Sequence, residues 1–141
     1  MGPEDVILAL ASPPPPAPVV LLRIDGDQAI QLFCDYLAPE HSSVEPHHRI
    51  PLREPLNVHL PWGSDLPKVP GVALGWAKGA SWTGNESVEL FLPGSGPILE
   101  GVMPLLQSAG ARMATPGEFT RRSFMNGRLD LSSAESVLAV I

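Results

Sequence analysis

A single cysteine, Cys34, in 141 residues excludes an internal disulfide framework and any zinc site built on several thiolates. A solitary thiol in an apolar stretch is expected in the core rather than at a reactive site. Positive charge is also scarce, with nine Lys and Arg against fifteen Asp and Glu and a formal charge of −6. Gripping nucleic acid by its phosphates draws on clustered cations, so this domain is not expected to hold one by itself. Long apolar runs are missing too. None reaches the roughly 20 residues of a spanning helix, and the opening Met-Gly-Pro-Glu-Asp has neither the basic nor the apolar region of a secretion signal. A cytoplasmic chain without a membrane segment is expected. The pattern G-x-x-x-x-G-K-[ST] does not occur, which excludes a phosphate-loop nucleotide site in these residues. The adjacent His47 and His48 are not read as a metal site.

Proline and glycine, in contrast, are plentiful, at seventeen and thirteen. Such punctuation implies short elements within one domain spanning 1–141, a length that supports a real core. Val6 to Ala11 and Val19 to Asp25 are branched, apolar runs bounded by turn formers and read as strands. Between them "SPPPPAP" is compatible with neither helix nor central strand and reads as a polyproline-type connection. Ala29, Ile30, Phe33, Tyr36 and Leu37 then recur at helical spacing, which predicts an amphipathic helix over about Gln28 to Leu37. "LNVHL" around His59 is a short strand candidate, whereas most of the segment between Pro39 and Pro70 carries no clear pattern. Gly71 to Lys78 and Ser87 to Leu92 read as strands joined through "GASWTGN", and a helix is expected from Pro97 to Ser108, weakened by Gly101 and Pro104. The fold class implied is α+β, a mixed sheet with helices packed on it.

The segment from Thr115 to Ser136 is dominated by helix boundaries. Thr115, Pro116 and Glu118 match a capping box with proline at the first helical position, and Asn126-Gly127 supplies a left-handed stop. Ser132 and Glu135 repeat the box, with Ala134, Val137, Leu138 and Ile141 on one helical face. An apolar, uncapped end inside a helix suggests that the parent polypeptide continues.

Three stretches carry a family resemblance. "TPGEFTRRSFMNGRLDLSSAESV" resembles the PGEFT-x-RAF-x-NGK-LDL-x-x-AEAV signature of the N-terminal domain of the tRNA modification GTPases MnmE, also called TrmE. "SWTGNESVEL" is similar to the family's S-[YF]-TGED-x-x-E, and "ILALASPP" with "VVLLRIDG" to its I-x-A-x-ATPPG…VRISG opening. The resemblance implies a dimer-forming α+β domain related to the folate-binding domain of aminomethyltransferases. It also implies binding of a tetrahydrofolate derivative, 5-formyl or methylene, as one-carbon donor. In the family a helical domain and a GTPase follow, the latter using GTP, Mg and K. The whole enzyme works with an MnmG-like flavoprotein on the wobble uridine of tRNA.

Carried over residue by residue, the family's folate contacts fall on Arg23, Glu89 and Arg128, with Arg122 and Asn126 as supporting positions. Their chemistry is suitable. A reduced pterin presents a ring N–H beside an exocyclic amino group, which one carboxylate accepts as a fork, and its glutamate tail suits guanidinium groups. The residues alone leave other readings open. Glu89 equally reads as a carboxylate on a half-solvated sheet face, Arg23 as a strand-end charge, Arg128 as half of a surface pair with Asp130, and Arg122 and Asn126 as ligands of loop carbonyls. Glu118 reads as a cap. The chain also departs from the pattern, with "PPPPAP" for PPG-x-GG, "LPGSG" for GHGG, and Asn85-Glu86 for Glu-Asp. A dimerisation or scaffold module that has lost the cofactor is therefore the second reading.

Overall fold

The computed structural model describes residues 2, 4–37, 51–130 and 132. Nine elements follow one another as β1 (Ile7–Leu10), β2 (Ala17–Asp25), α1 (Ala29–Leu37), β3 (Leu56–Leu60), β4 (Val69–Trp76), β5 (Ser87–Gly94), α2 (Gly96–Ser108), β6 (Arg112–Met113) and α3 (Glu118–Met125). The strands form one sheet in the order β3-β4-β5-β2-β1-β6. Among these strands every pairing is antiparallel except β1 with β6, so the sheet is mixed and the class is α+β, as expected; an isolated parallel bridge joins Leu52 to Gly75.

Strand alternation separates two faces. Val20, Leu22 and Ile24 of β2 and Val88, Leu90 and Leu92 of β5 are all buried and share one cluster with Phe33 of α1 and Val102 and Leu106 of α2. Each such aliphatic side chain contributes about 1.5–3 kcal/mol by leaving water. Cys34 belongs to the same cluster, as its apolar surroundings implied. The other face carries Leu21, Arg23, Glu89 and Phe91, with Val72, Leu74 and Trp76 of β4 beside them through the register Val72↔Phe91, Leu74↔Glu89 and Trp76↔Ser87. All seven are half-buried. Helices α1 and α2 leave this face to the loops and to α3.

Several boundaries differ from the sequence expectation. Helix α3 starts at Glu118 rather than Pro116, because Gly117 takes a left-handed conformation with φ 75° that no helix continues through. Thr115 does not cap with its side chain. Instead its N–H donates to Glu118 Oε1 at 2.9 Å, the returning half of a capping box. Gly101 lies inside the continuous α2 and lets it approach the loop before β4, since a Cβ there would lie 2.0 Å from the Trp62 carbonyl oxygen. Pro104 is absorbed inside the continuous helix. The proline segment ahead of β2 contains a cis Pro15–Pro16 bond and is not a uniform polyproline run. The two-residue β6 had no counterpart in the sequence reading. The expected second box at Ser132 and Glu135 with its helix, and the histidine pair, lie outside the described residues, apart from Ser132 itself.

Candidate functional site

A buried polar network fixes the region where the three resembling stretches meet. Asp25, at the end of β2, is fully buried. Its carboxylate accepts from the Thr83 hydroxyl, from Asn85 Nδ2 at 3.2 Å and from Arg122 Nη1 at 3.1 Å. Arg122, 3% exposed, also donates to the carbonyls of Asp25 at 3.1 Å and Asp5 at 2.7 Å. Asn126 Nδ2 donates to the Thr83 carbonyl at 2.8 Å, and the Ser123 hydroxyl to that of Trp82. Arg122 and Asn126 thus hold loop carbonyls, tying the 79–85 turn and the end of β2 to α3. The departures from TGED have work of their own. Asn85 completes the Asp25 shell, and Glu86 Oε1 accepts from Ile30 N–H at 2.8 Å, placing an anion at the start of α1.

A second ionic contact ties β6 to α3. Arg112 donates in fork fashion to both Glu118 oxygens, at 2.9 and 2.7 Å, and through Nε to Asp5 at 3.2 Å. The Arg112 fork, assisted by the Thr115 N–H, holds the Glu118 carboxyl down to about 2 against burial, which works the other way. The same partner raises the Arg112 guanidinium.

These two ties set the walls of a cavity of about 400 Å³, a size suited to a small organic ligand. Ala9, Leu10 and Ala11 form one side, Trp82 and Phe119 the flanks, and the turn from Thr115 to Gly117 the end. Arg23 lies against both aromatics. Its guanidinium carbon is 5.6 Å from the Trp82 ring centre and 5.5 Å from that of Phe119, within cation–π range of each. Stacking of this kind engages the faces of a guanidinium and leaves its N–H edge for an acceptor.

Glu89 is the register partner of Arg23 across β2 and β5, so the two opposite charges project from neighbouring positions on one face. Glu89 Oε1 accepts from Trp76 Nε1 at 2.8 Å. Arg128 stands apart, exposed, with Nη1 donating to the Gly79 carbonyl at 3.1 Å on the turn that bears Trp82. Of the three folate positions carried over, only Arg23 lines the cavity; Glu89 stands beside it in register on the sheet face, outside the lining residues, and Arg128 lies on the adjoining loop. Arg122 and Asn126 line a smaller cavity of about 210 Å³ beyond the loop. The loop from Pro15 to Pro18 and Pro93, which stand where the family pattern has glycines and a histidine, do not line the larger cavity. Trp76, Trp82 and Phe119 are not among the site residues that the sequence suggests. Pairing the ends of β4 and β5 across their turn would have found Trp76, two places diagonal to Glu89.

The residue types in and beside the cavity fit a reduced folate in kind, with Arg23 on its wall and Glu89 and Arg128 outside it. The flat pyrimidinone half of a reduced pterin suits the aromatic flanks, its ring N–H beside an amino group suits a carboxylate such as Glu89, and an anionic tail suits the Arg23 edge and Arg128. Among the described residues no group of three or more His, Cys, Asp and Glu is placed to hold a metal, and no helix is long and apolar enough to cross a membrane.

Residues 6–128 match the family model described as GTP-binding protein TrmE N-terminus. The chain is 41% identical over 138 residues to the tRNA modification GTPase MnmE of Rhodopirellula baltica, covering 98% of this chain and 29% of that protein. It is 36% identical over 145 residues to the MnmE of Hyphomonas neptunium (100% and 30%) and 35% over 142 residues to that of Moorella thermoacetica (98% and 30%). The chain thus spans about three-tenths of the length of these relatives, aligning throughout with one part of them. With a family match over most of its length and relatives that align with nearly all of it, the chain belongs to the TrmE N-terminal domain family.

Proposed function

We propose that this chain is the reduced-folate-binding, dimer-forming N-terminal domain of a tRNA modification GTPase. The observation that carries the reading is the juxtaposition of Arg23 and Glu89 on one sheet face beside an aromatic-walled cavity of about 400 Å³. Glu89 accepts the paired N–H donors of the pterin, Trp82 and Phe119 flank the site, and the Arg23 edge and Arg128 attract the anionic end of the ligand. Bound there, a 5-formyl or methylene folate supplies the one-carbon unit for wobble-uridine modification. GTP, Mg, K, an MnmG-like flavoprotein and tRNA are engaged through the rest of the longer protein, in the cytoplasm. The half-buried apolar side chains of the open sheet face, Leu21, Val72, Leu74 and Phe91, support self-association.

Calorimetric titration of 5-formyltetrahydrofolate tests the reading. Glu89→Gln turns one acceptor toward the ligand into an N–H₂ donor, and the expected loss is about 2–4 kcal/mol, the range for a truncated charged hydrogen bond in a desolvated site. Arg128→Ala is expected to cost less, about 1 kcal/mol, because its side chain is open to water. Equal affinity of wild type and Glu89→Gln would remove Glu89 from the site. Absence of binding to the wild type at millimolar ligand would instead support the scaffold reading.

A further inference from the structure

The geometry points to Trp76 as a positioning residue that makes this site selective for 2-amino pteridine rings, an inference that rests on the folate reading. Trp76 is displaced by two residues from Leu74, the register partner of Glu89, and so sits diagonally from the carboxylate on the same face. At that separation a large side chain reaches across, and its Nε1 donates to Glu89 Oε1 at 2.8 Å. An indole N–H is a donor only. It therefore fixes two properties of Glu89. One lone pair of Oε1 is committed, which restrains the rotation of the carboxylate, and Oε1 is an acceptor on the side that faces the indole. What remains for a ligand is an acceptor pair, Oε2 and the second lone pair of Oε1.

Such a pair complements an amino group beside a ring N–H. It repels a ring that presents a carbonyl oxygen at the same place and gains little from one with a hydrogen there. Sites built to accept particular donors reject analogues lacking them strongly, because a polar group is then left buried and unmatched. Arg23, beside Glu89 in register, is held by Trp82 and Phe119 rather than by Glu89: no hydrogen bond between the two is formed among the described residues, so the indole has no competitor from that side.

The test compares two probes, 5-formyltetrahydrofolate and its 2-desamino analogue, with wild type and Trp76→Phe, which keeps an aromatic ring and removes the N–H. The wild type is expected to prefer the amino compound, and Trp76→Phe to lose about tenfold toward it while binding the desamino analogue unchanged. A merely structural role for Trp76 would weaken both probes in parallel, and that result, or no change with either, overturns the assignment. A wild type that binds the two probes equally overturns it as well. A wild type that binds neither overturns the folate reading and this inference with it. Independently of any ligand, the Trp76 indole N–H resonance is expected to move upfield in Glu89→Gln. An unmoved resonance overturns the hydrogen bond on which the selectivity depends.

Discussion

The Arg122–Asp25 pair places both charges almost wholly out of water, with side chains 3% and 0% exposed and 3.1 Å between them. Removing one partner from such a pair strands the other, so Arg122→Ala is expected to lose about 3–5 kcal/mol in urea unfolding. Arg122→Lys is not expected to restore it, because an ammonium cannot reach Asp25 Oδ1 and the Asp5 and Asp25 carbonyls together. A loss under 1 kcal/mol would mean that Thr83 and Asn85 alone satisfy Asp25. Glu118 gives a pH signature. Its folded pKa of about 2 lies below the ordinary 4.5, so its stabilisation is complete above about pH 4.5 and is lost as pH falls toward 2. Arg112→Met is expected to flatten that acid limb, and an unchanged limb would assign it to other carboxylates. At this scale the sequence shows residue types but not distances. Arg122 and Asn126 were legible as ligands of loop carbonyls, whereas nothing local marks Arg112 as the partner of Glu118 and Asp5, the latter 107 positions away.

Elements were most legible where periodicity was strong and least where the outcome depends on a neighbour. The paired strands of the sheet centre and α1 lie within two or three residues of their expected bounds, because branched alternation and helical spacing are local signals. Strand β6 is a strand only because Arg112 and Met113 lie beside Ile7 and Leu8, a non-local pairing that two residues cannot announce. Gly101 makes the same point with a measurable consequence. Helix propensity alone expects Gly101→Ala to stabilise α2 by about 1 kcal/mol. The Trp62 carbonyl, 2.0 Å from the added Cβ, is backbone and has no cheap way to retreat. The variant is therefore expected to unfold at a lower temperature than wild type, and a raised midpoint in a calorimetric melt would contradict the packing of α2 on that loop.

Across the described residues, one sheet face is sealed by α1 and α2 and the other stays half-buried. The family motifs, scattered along the chain, converge on that second face because the antiparallel register sets Arg23 against Glu89 and the Asp25 network draws α3 over the end of β2. The carried-over positions could be named from the sequence, but not the separation of Arg128 from the cavity wall. With its half-buried apolar strip the domain is expected to sediment as a dimer at micromolar concentration, and a monomer throughout that range would contradict self-association through this face. The central claim, that the Arg23–Glu89 face holds a reduced folate, is tested most directly by a crystal structure of the chain with 5-formyltetrahydrofolate. The amino edge of the pterin is expected within hydrogen-bond distance of both Glu89 oxygens, with the ring beside Trp82. A folate bound in the smaller cavity near Arg122 and Asn126, or with its pterin away from Glu89, would contradict it.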